Sequence, residues 1–157
     1  MKNIFVTGGA GFIGSAFVRQ IVKEHPEYNI VTYDKLTYAG NLDNLLPVKD
    51  AANHTFIQGD IADLEGVRGV FDEHNIDTVV NFAAESHVDR SILDPEAFIR
   101  TDVFGVYRLL EASRQHGIGR FLQVSTDEVY GDVEEGFSTE ADNFLPNSPY
   151  AASKAGG

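Results

Sequence analysis

The sequence predicts an α/β fold: a doubly wound parallel sheet with helices on both faces and strands in the order 3-2-1-4-5. Two observations carry this expectation. Short apolar runs alternate along the chain with stretches whose apolar residues recur at helical spacing. Those runs are also continuously apolar rather than alternating, which is the pattern of strands covered on both faces. Right-handed crossovers then wind the chain outward from a central first strand and place a crevice between strands 1 and 4.

Each element has its own signal. Ile4-Phe5-Val6 reads as strand 1, and residues 12–24, with Ala16, Phe17, Ile21 and Val22, as the helix after it. Ile30 to Tyr33 and His54 to Ile57 read as strands 2 and 3. Asp63 is a natural N-cap for a helix burying Leu64, Val67, Val70 and Phe71. Thr78 to Phe82 reads as strand 4. Asp94-Pro95, cap then first-turn proline, opens a long helix over residues 95–116 that stops at Gly117. Phe121 to Ser125 reads as strand 5, and Ser148-Pro149 opens a last helix.

Composition narrows the function classes. At 157 residues and 43% hydrophobic the chain is one globular domain with a core of its own. The absence of cysteine excludes a disulfide scaffold and a cysteine-ligated metal site, and it fits a reducing cytoplasm. No metal is called for. A formal net charge of -12 argues against nucleic acid or an anionic membrane as partner. No apolar run approaches the roughly 20 residues of a membrane span. The N-terminus runs straight into a strand and a glycine turn, so no signal peptide is expected.

Chemistry gathers at the carboxyl ends of the strands. Strand 1 enters Thr7-Gly8-Gly9-Ala10-Gly11-Phe12-Ile13-Gly14, with Gly8, Gly11 and Gly14 in G-x-x-G-x-x-G spacing before a helix. In a Rossmann strand–turn–helix such glycines allow a tight turn and close approach of a pyrophosphate to the helix N-terminus. Asp34 ends strand 2, 20 residues beyond Gly14, where an acid accepts hydrogen bonds from the adenosine ribose. A carboxylate there repels a 2′-phosphate, so NAD is favoured over NADP. Asp60-Ile61 follows strand 3, where a carboxylate can meet the adenine amino group. Strand 5 runs into Thr126-Asp127-Glu128, two adjacent carboxylates that can form an acid/base pair or a solvated turn. Tyr150 and Lys154 share a face of the last helix, and the ammonium is expected to lower the phenol's pKa.

At these residues the chain resembles the extended short-chain dehydrogenase/reductase family, and within it the dTDP-glucose 4,6-dehydratase group. The matching segments are Thr7 to Gly14, Asp34 to Asn41, Ala83 to Ser91, Ser125 to Gly131 and Ser148 to Lys154. The resemblance implies NAD as cofactor, a sugar nucleotide as substrate and a homodimer. It implies that Tyr150, Lys154 and Thr126 deprotonate the sugar 4-hydroxyl, that Glu128 takes the C5 proton, and that Asp127 protonates the departing 6-hydroxyl. By the same resemblance Phe12, Ile13, Lys35, Leu36, Thr37, Ile61, Ala83, Ala84, Thr101, Tyr150 and Lys154 join Gly8, Gly11, Gly14, Asp34 and Asp60 at the cofactor, and Ser86 lies near the sugar. Thr101-Asp102-Val103 departs from the family by carrying Asp where Asn is usual, which puts a water-borne proton relay in doubt. Residues 1–157 are read as a partial dinucleotide-binding domain, with the substrate-binding part lying beyond Gly157. Two alternatives stand beside this reading: another sugar-nucleotide dehydratase or epimerase acting on a UDP-sugar, or a non-catalytic NAD-binding module.

Overall fold

The computed structural model describes residues 2–157. Five strands, β1 (Lys2–Thr7), β2 (Tyr28–Asp34), β3 (His54–Gln58), β4 (Thr78–Asn81) and β5 (Arg120–Gln123), form one sheet in the order 3-2-1-4-5. Every pairing is parallel, with Ile4 of β1 opposite Ile30 of β2 and Thr78 of β4. The predicted topology therefore holds.

Alternation along β1 explains how the sheet is covered. Ile4 and Val6 pack with Val18 and Val22 of α1 (Phe12–Glu24) on one face. Phe5 points the other way, into a cluster with Val67, Val70 and Phe71 of α2 (Leu64–His74) and with Leu109 and Ala112 of α5 (Val106–Gln115). A fully buried branched or aromatic side chain contributes about 1.5–3 kcal/mol, so two such clusters hold the layers together. Asp63 caps α2 as expected, its carboxylate accepting from the Gly66 N–H.

The segment expected as one long helix is helical throughout, but in three stretches and two hydrogen-bonding modes. Asp94 caps α4 (Pro95–Phe98), a π-helical stretch follows over Ile99–Gly105, and α5 completes the run. The wider π turn accommodates an extra residue, so the two α-helical ends keep their buried faces while Thr101 and Asp102 are turned toward the strand ends. Three further elements carry no clear sequence signal: α3 (Val88–Leu93) and 3-10 turns at Leu42–Val48 and Asp127–Tyr130. Strands 4 and 5 end earlier than predicted, at Asn81 and Gln123. Asn81 is fully buried and bonds sideways to Thr7 and Gln123, and the residues beyond it leave the sheet to line a cleft.

His54 ties β3 to β2 and to the turn before it. Its Nε2 lies 2.9 Å from Thr32 Oγ1 and its Nδ1 3.1 Å from Val48 O. The geometry suits a neutral ring that donates to the carbonyl and accepts from the hydroxyl. Burial holds its pKa below the usual histidine value, with the Val48 carbonyl opposing. The fold therefore binds fewer protons than the unfolded chain below about pH 6.5, the free histidine value. Stability is expected to be full above that pH and to fall as pH drops through it toward the lower folded value. Thermal melts across this range should show the slope, and His54→Gln should flatten it.

Candidate functional site

A cleft of about 430 Å³ opens over the carboxyl ends of the strands, at the crossover between β1 and β4. Each wall comes from a loop that follows a strand. The loop after β1 supplies Gly8, Gly11, Phe12, Ile13 and Gly14, and the loop after β2 supplies Asp34, Lys35 and Thr37. Asp60 and Ile61 follow β3, Ala83, Ala84 and Ser86 follow β4, and Thr101 comes from the π turn. Tyr150 and Lys154 of α6 (Pro149–Gly156) close one end.

The glycine turn is tight because backbone meets backbone. Gly8 has φ of 63°, and a Cβ there would lie 2.5 Å from the Ala83 nitrogen. A Cβ at Gly14 would lie 2.3 Å from the Gly8 carbonyl oxygen. Gly11 differs: its nearest neighbour is that same oxygen at 3.2 Å, so a side chain there would project mainly into the cleft. Gly11 is also the N-cap of α1 with no side-chain hydrogen bond, so the helix presents uncapped N–H groups and its positive dipole end. Phe12 and Ile13 are 90% and 63% exposed, apolar cover at a helix start that packing alone does not explain.

Asp34 is buried and held by two backbone donors: Ala10 N–H to Oδ2 at 2.9 Å and Leu36 N–H to Oδ1 at 2.8 Å. Each carboxylate oxygen keeps a second acceptor site. Leu36, expected at the cofactor, does not line the cleft. Its φ is 58°, and its side chain packs on the cluster around Ile4 and Val18, so its part is to pin Asp34 through its N–H. Lys35 reaches across to Asp60, Nζ to Oδ2 at 2.8 Å, and Ala62 N–H donates to Asp60 Oδ1 at 2.9 Å. Burial works to raise the Asp60 pKa, but those donors and the charges of Lys35 and Arg100 hold it below the usual value.

At the opposite end Ser148 caps α6, its hydroxyl accepting from Ala151 N–H at 3.0 Å. The helix packs through Ala151, Ser153 and Lys154, which gives an eight-residue helix the tertiary support it needs. Lys154 Nζ donates to the Val124 carbonyl at 2.9 Å, and burial lowers its pKa while Asp102 opposes. The expectation that Lys154 lowers the Tyr150 pKa is not met. Burial of the phenol raises it, the charges of Glu128, Asp102 and Asp127 add to the rise, and the nearby Thr126 hydroxyl acts the other way.

Thr126, Asp127 and Glu128 stand at the rim rather than in the lining of the cleft. Thr126 caps the 3-10 turn, accepting from Glu128 N–H at 3.3 Å, and its hydroxyl lies 3.3 Å from Asp127 Oδ1. Both carboxylates are exposed, so the described residues alone do not build the contrasting surroundings that would set them to different protonation states. They are nonetheless near enough to act on the Tyr150 phenol. Lining residues outside the sequence expectation include Gly59, Glu85, His87 and Ser125. Their common signal is position immediately after a strand or in the loop that leaves it, which the crevice rule identifies once strand ends are known.

A cleft lined by a glycine turn at an uncapped helix end, with an acid at the end of β2, fits a dinucleotide. Comparison with known proteins agrees. The model of the GDP-mannose 4,6 dehydratase family matches residues 5–157. A dTDP-glucose 4,6-dehydratase of Streptomyces griseus is 50% identical over 157 residues, covering 99% of this chain and 47% of the relative. The low-salt glycan biosynthesis protein Agl12 of Haloferax volcanii is 51% identical over 154 residues, covering 98% and 49%. The crystal structure of the dTDP-glucose 4,6-dehydratase DesIV from Streptomyces venezuelae, with NAD and TYD bound, superposes with a TM-score of 0.93 at 47% identity, covering 98% of this chain and 48% of that one. The chain thus spans about half the length of the relatives it matches.

Proposed function

This chain belongs to the GDP-mannose 4,6 dehydratase family, and we propose that it is the NAD-binding part of an enzyme that dehydrates dTDP-glucose to the 4-keto-6-deoxy sugar nucleotide. The observation that carries the reading is the meeting of a phenol, Tyr150, with Thr126 and two carboxylates, Asp127 and Glu128, at one end of a dinucleotide-shaped cleft. Sheet, cleft and similarity to NAD-bound dehydratases support the same assignment.

In this account Gly8, Gly11 and Gly14 let the pyrophosphate approach the start of α1, and Asp34 accepts from the adenosine ribose. Asp60 and Ile61 border the adenine. Phe12, Ile13, Lys35, Thr37, Ala83, Ala84 and Thr101 complete the enclosure, and Ser86 lies toward the sugar. Bound NAD supplies a hydride acceptor at C4, a hydride donor at C6, and a positive charge that favours the Tyr150 phenolate. Tyr150 removes the 4-hydroxyl proton while Thr126 holds the same oxygen. Lys154, fixed on the Val124 carbonyl, orients this end of the site. The 4-keto group acidifies C5, Glu128 takes that proton, and Asp127 delivers one to the 6-hydroxyl as water leaves. The nucleotide and the differing surroundings of the two carboxyls are supplied with the substrate and the substrate-binding part of the enzyme.

The same account makes the enzyme a cytoplasmic homodimer. No helix among the described residues is long and apolar enough to cross a membrane. Ile99, Phe104, Tyr107 and Leu110 leave an exposed apolar stripe along the π turn and α5, which a second copy would cover. Sedimentation should show a dimer that Leu110→Glu weakens.

The test is incubation with NAD⁺ and either dTDP-glucose or UDP-glucose, followed by the absorbance that 4-keto sugars develop in base. Faster product from dTDP-glucose is expected, and Tyr150→Phe should lower the rate about a hundredfold or more. Preference for UDP-glucose would move the assignment to a UDP-sugar enzyme. NAD binding with no keto product from the enzyme that carries both the NAD-binding and the substrate-binding part would favour the non-catalytic module.

A further inference from the structure

Asp102 is a buried carboxyl that the proposed reaction does not use. It is 2% exposed, on the π turn, and it joins two parts of the site. Its Oδ1 accepts from Glu85 N–H at 2.8 Å, in the loop that leaves β4. Its Oδ2 lies 2.7 Å from the hydroxyl of Ser153, which is fully buried on α6 one residue before Lys154.

The hydrogens around Ser153 do not balance for an ionised Asp102. Ser153 Oγ sits 2.7 Å from Asp102 Oδ2 and 2.8 Å from the Tyr150 carbonyl oxygen. A hydroxyl has one hydrogen to donate. With a carboxylate at Asp102, that hydrogen serves one oxygen and leaves the other against a lone pair. A proton on Asp102 Oδ2 resolves this: the acid donates to Ser153 Oγ, and Ser153 donates to the Tyr150 carbonyl. The neutral acid then offers one donor and one acceptor, the same pair that a carboxamide offers.

We infer that Asp102 is a positioning residue whose protonated form, donating to Ser153 and accepting from the Glu85 N–H, clamps the loop after β4 to the catalytic helix α6. The naming of α6 as catalytic rests on the proposed function, but the proton does not. The neighbouring charges are consistent with a neutral acid. Burial disfavours the anion most strongly, and Glu85 adds to that, while the Ser153 hydroxyl, the Glu85 N–H and Lys154 oppose, leaving the pKa raised. On its own segment Arg100 acts on Asp60 instead. Arg108 of α5 stacks on Phe104 and Tyr107, and Glu111 pairs with Arg114. Glu96 of α4 is exposed. Without an anion at Asp102, one of the three charges that hold the Tyr150 proton in place is removed.

The test is a carbon-13 carboxyl titration of the chain by NMR, with Asp102 assigned from Asp102→Asn, beside thermal melts of both proteins. The Asp102 midpoint should lie above the free aspartate value. Between the free aspartate value of about 3.9 and the raised folded value the native protein binds the extra proton, so wild-type stability falls as pH rises through that window. Asp102→Asn lacks this slope, so its melting point should rise relative to wild type as pH rises through that window. Ser153→Ala should move the Asp102 midpoint, which a carboxyl elsewhere would not show. A midpoint at or below the free aspartate value overturns the inference, and so does an Asp102→Asn protein that is less stable than wild type at neutral pH or fails to fold. NAD⁺ binding measured on the same samples reports separately on the cofactor assignment.

Discussion

Gly14→Ala and Gly8→Ala are each expected to destabilise the fold severely, whereas Gly11→Ala leaves it folded and weakens NAD⁺ binding. The three positions look alike in the motif but meet different atoms. A Cβ at Gly14 would sit 2.3 Å from Gly8 O and 3.0 Å from Gly9 Cα, which are backbone atoms of the turn itself. Gly8 combines φ of 63° with a Cβ 2.5 Å from Ala83 N and 2.7 Å from Phe82 C. It cannot shift easily, because its N–H donates to Tyr33 O at 2.9 Å and so ties the turn to β2. Overpacking against rigid backbone costs roughly 1–3 kcal/mol or more, and left-handed backbone adds to it at Gly8. Against a typical total of about 5–15 kcal/mol this should lower the melting point by about 5 °C or more. At Gly11 the closest contact is 3.2 Å and the remaining space is the cleft, so the added methyl enters the space proposed for the pyrophosphate. Melting curves with NAD⁺ titrations on all three variants check the division between turn glycines and ligand glycine.

Asp34→Asn should reduce NAD⁺ affinity by about tenfold to a hundredfold. The carboxylate accepts from Ala10 N–H and Leu36 N–H and retains a free acceptor site on each oxygen for ribose hydroxyls. Hydrogen bonds to a charged acceptor contribute about 1.5–3 kcal/mol, and each 1.4 kcal/mol is tenfold in affinity. The amide keeps the shape but turns one acceptor into a donor that faces a backbone N–H. The substitution should therefore also loosen the turn at Leu36 and show as a modest loss of melting point. Because the negative charge is gone, the discrimination against NADP⁺ should narrow. Calorimetric titration of both cofactors into both proteins separates the ribose contact from general destabilisation.

What was legible in the sequence is what depends on neighbours in the chain. The strand order follows from buried apolar runs and crossover handedness, and the glycine turn, Asp34, and the caps Asp63, Asp94 and Ser148 are all signalled within a few residues. What escaped depends on distant residues. No residue type announces a π turn, so the expected single α-helix is interrupted by one at Ile99–Gly105. The Tyr150 pKa was expected to fall because Lys154 is four positions away, yet Lys154 is engaged by Val124, and burial of the phenol raises it, with the carboxylates of residues 102, 127 and 128 adding to the rise. Leu36 sits in the cofactor-loop sequence, but its side chain belongs to the core on the α1 face.

Calorimetric titration of the chain with NAD⁺ and NADP⁺, paired with a thermal melt of the same sample, tests whether the cleft between β1 and β4 holds NAD. A cooperative melt is expected, with one NAD⁺ per chain and NADP⁺ binding about tenfold weaker or more, because the Asp34 carboxylate would repel a 2′-phosphate. A cooperatively folded chain that binds neither cofactor, or prefers NADP⁺, would contradict it.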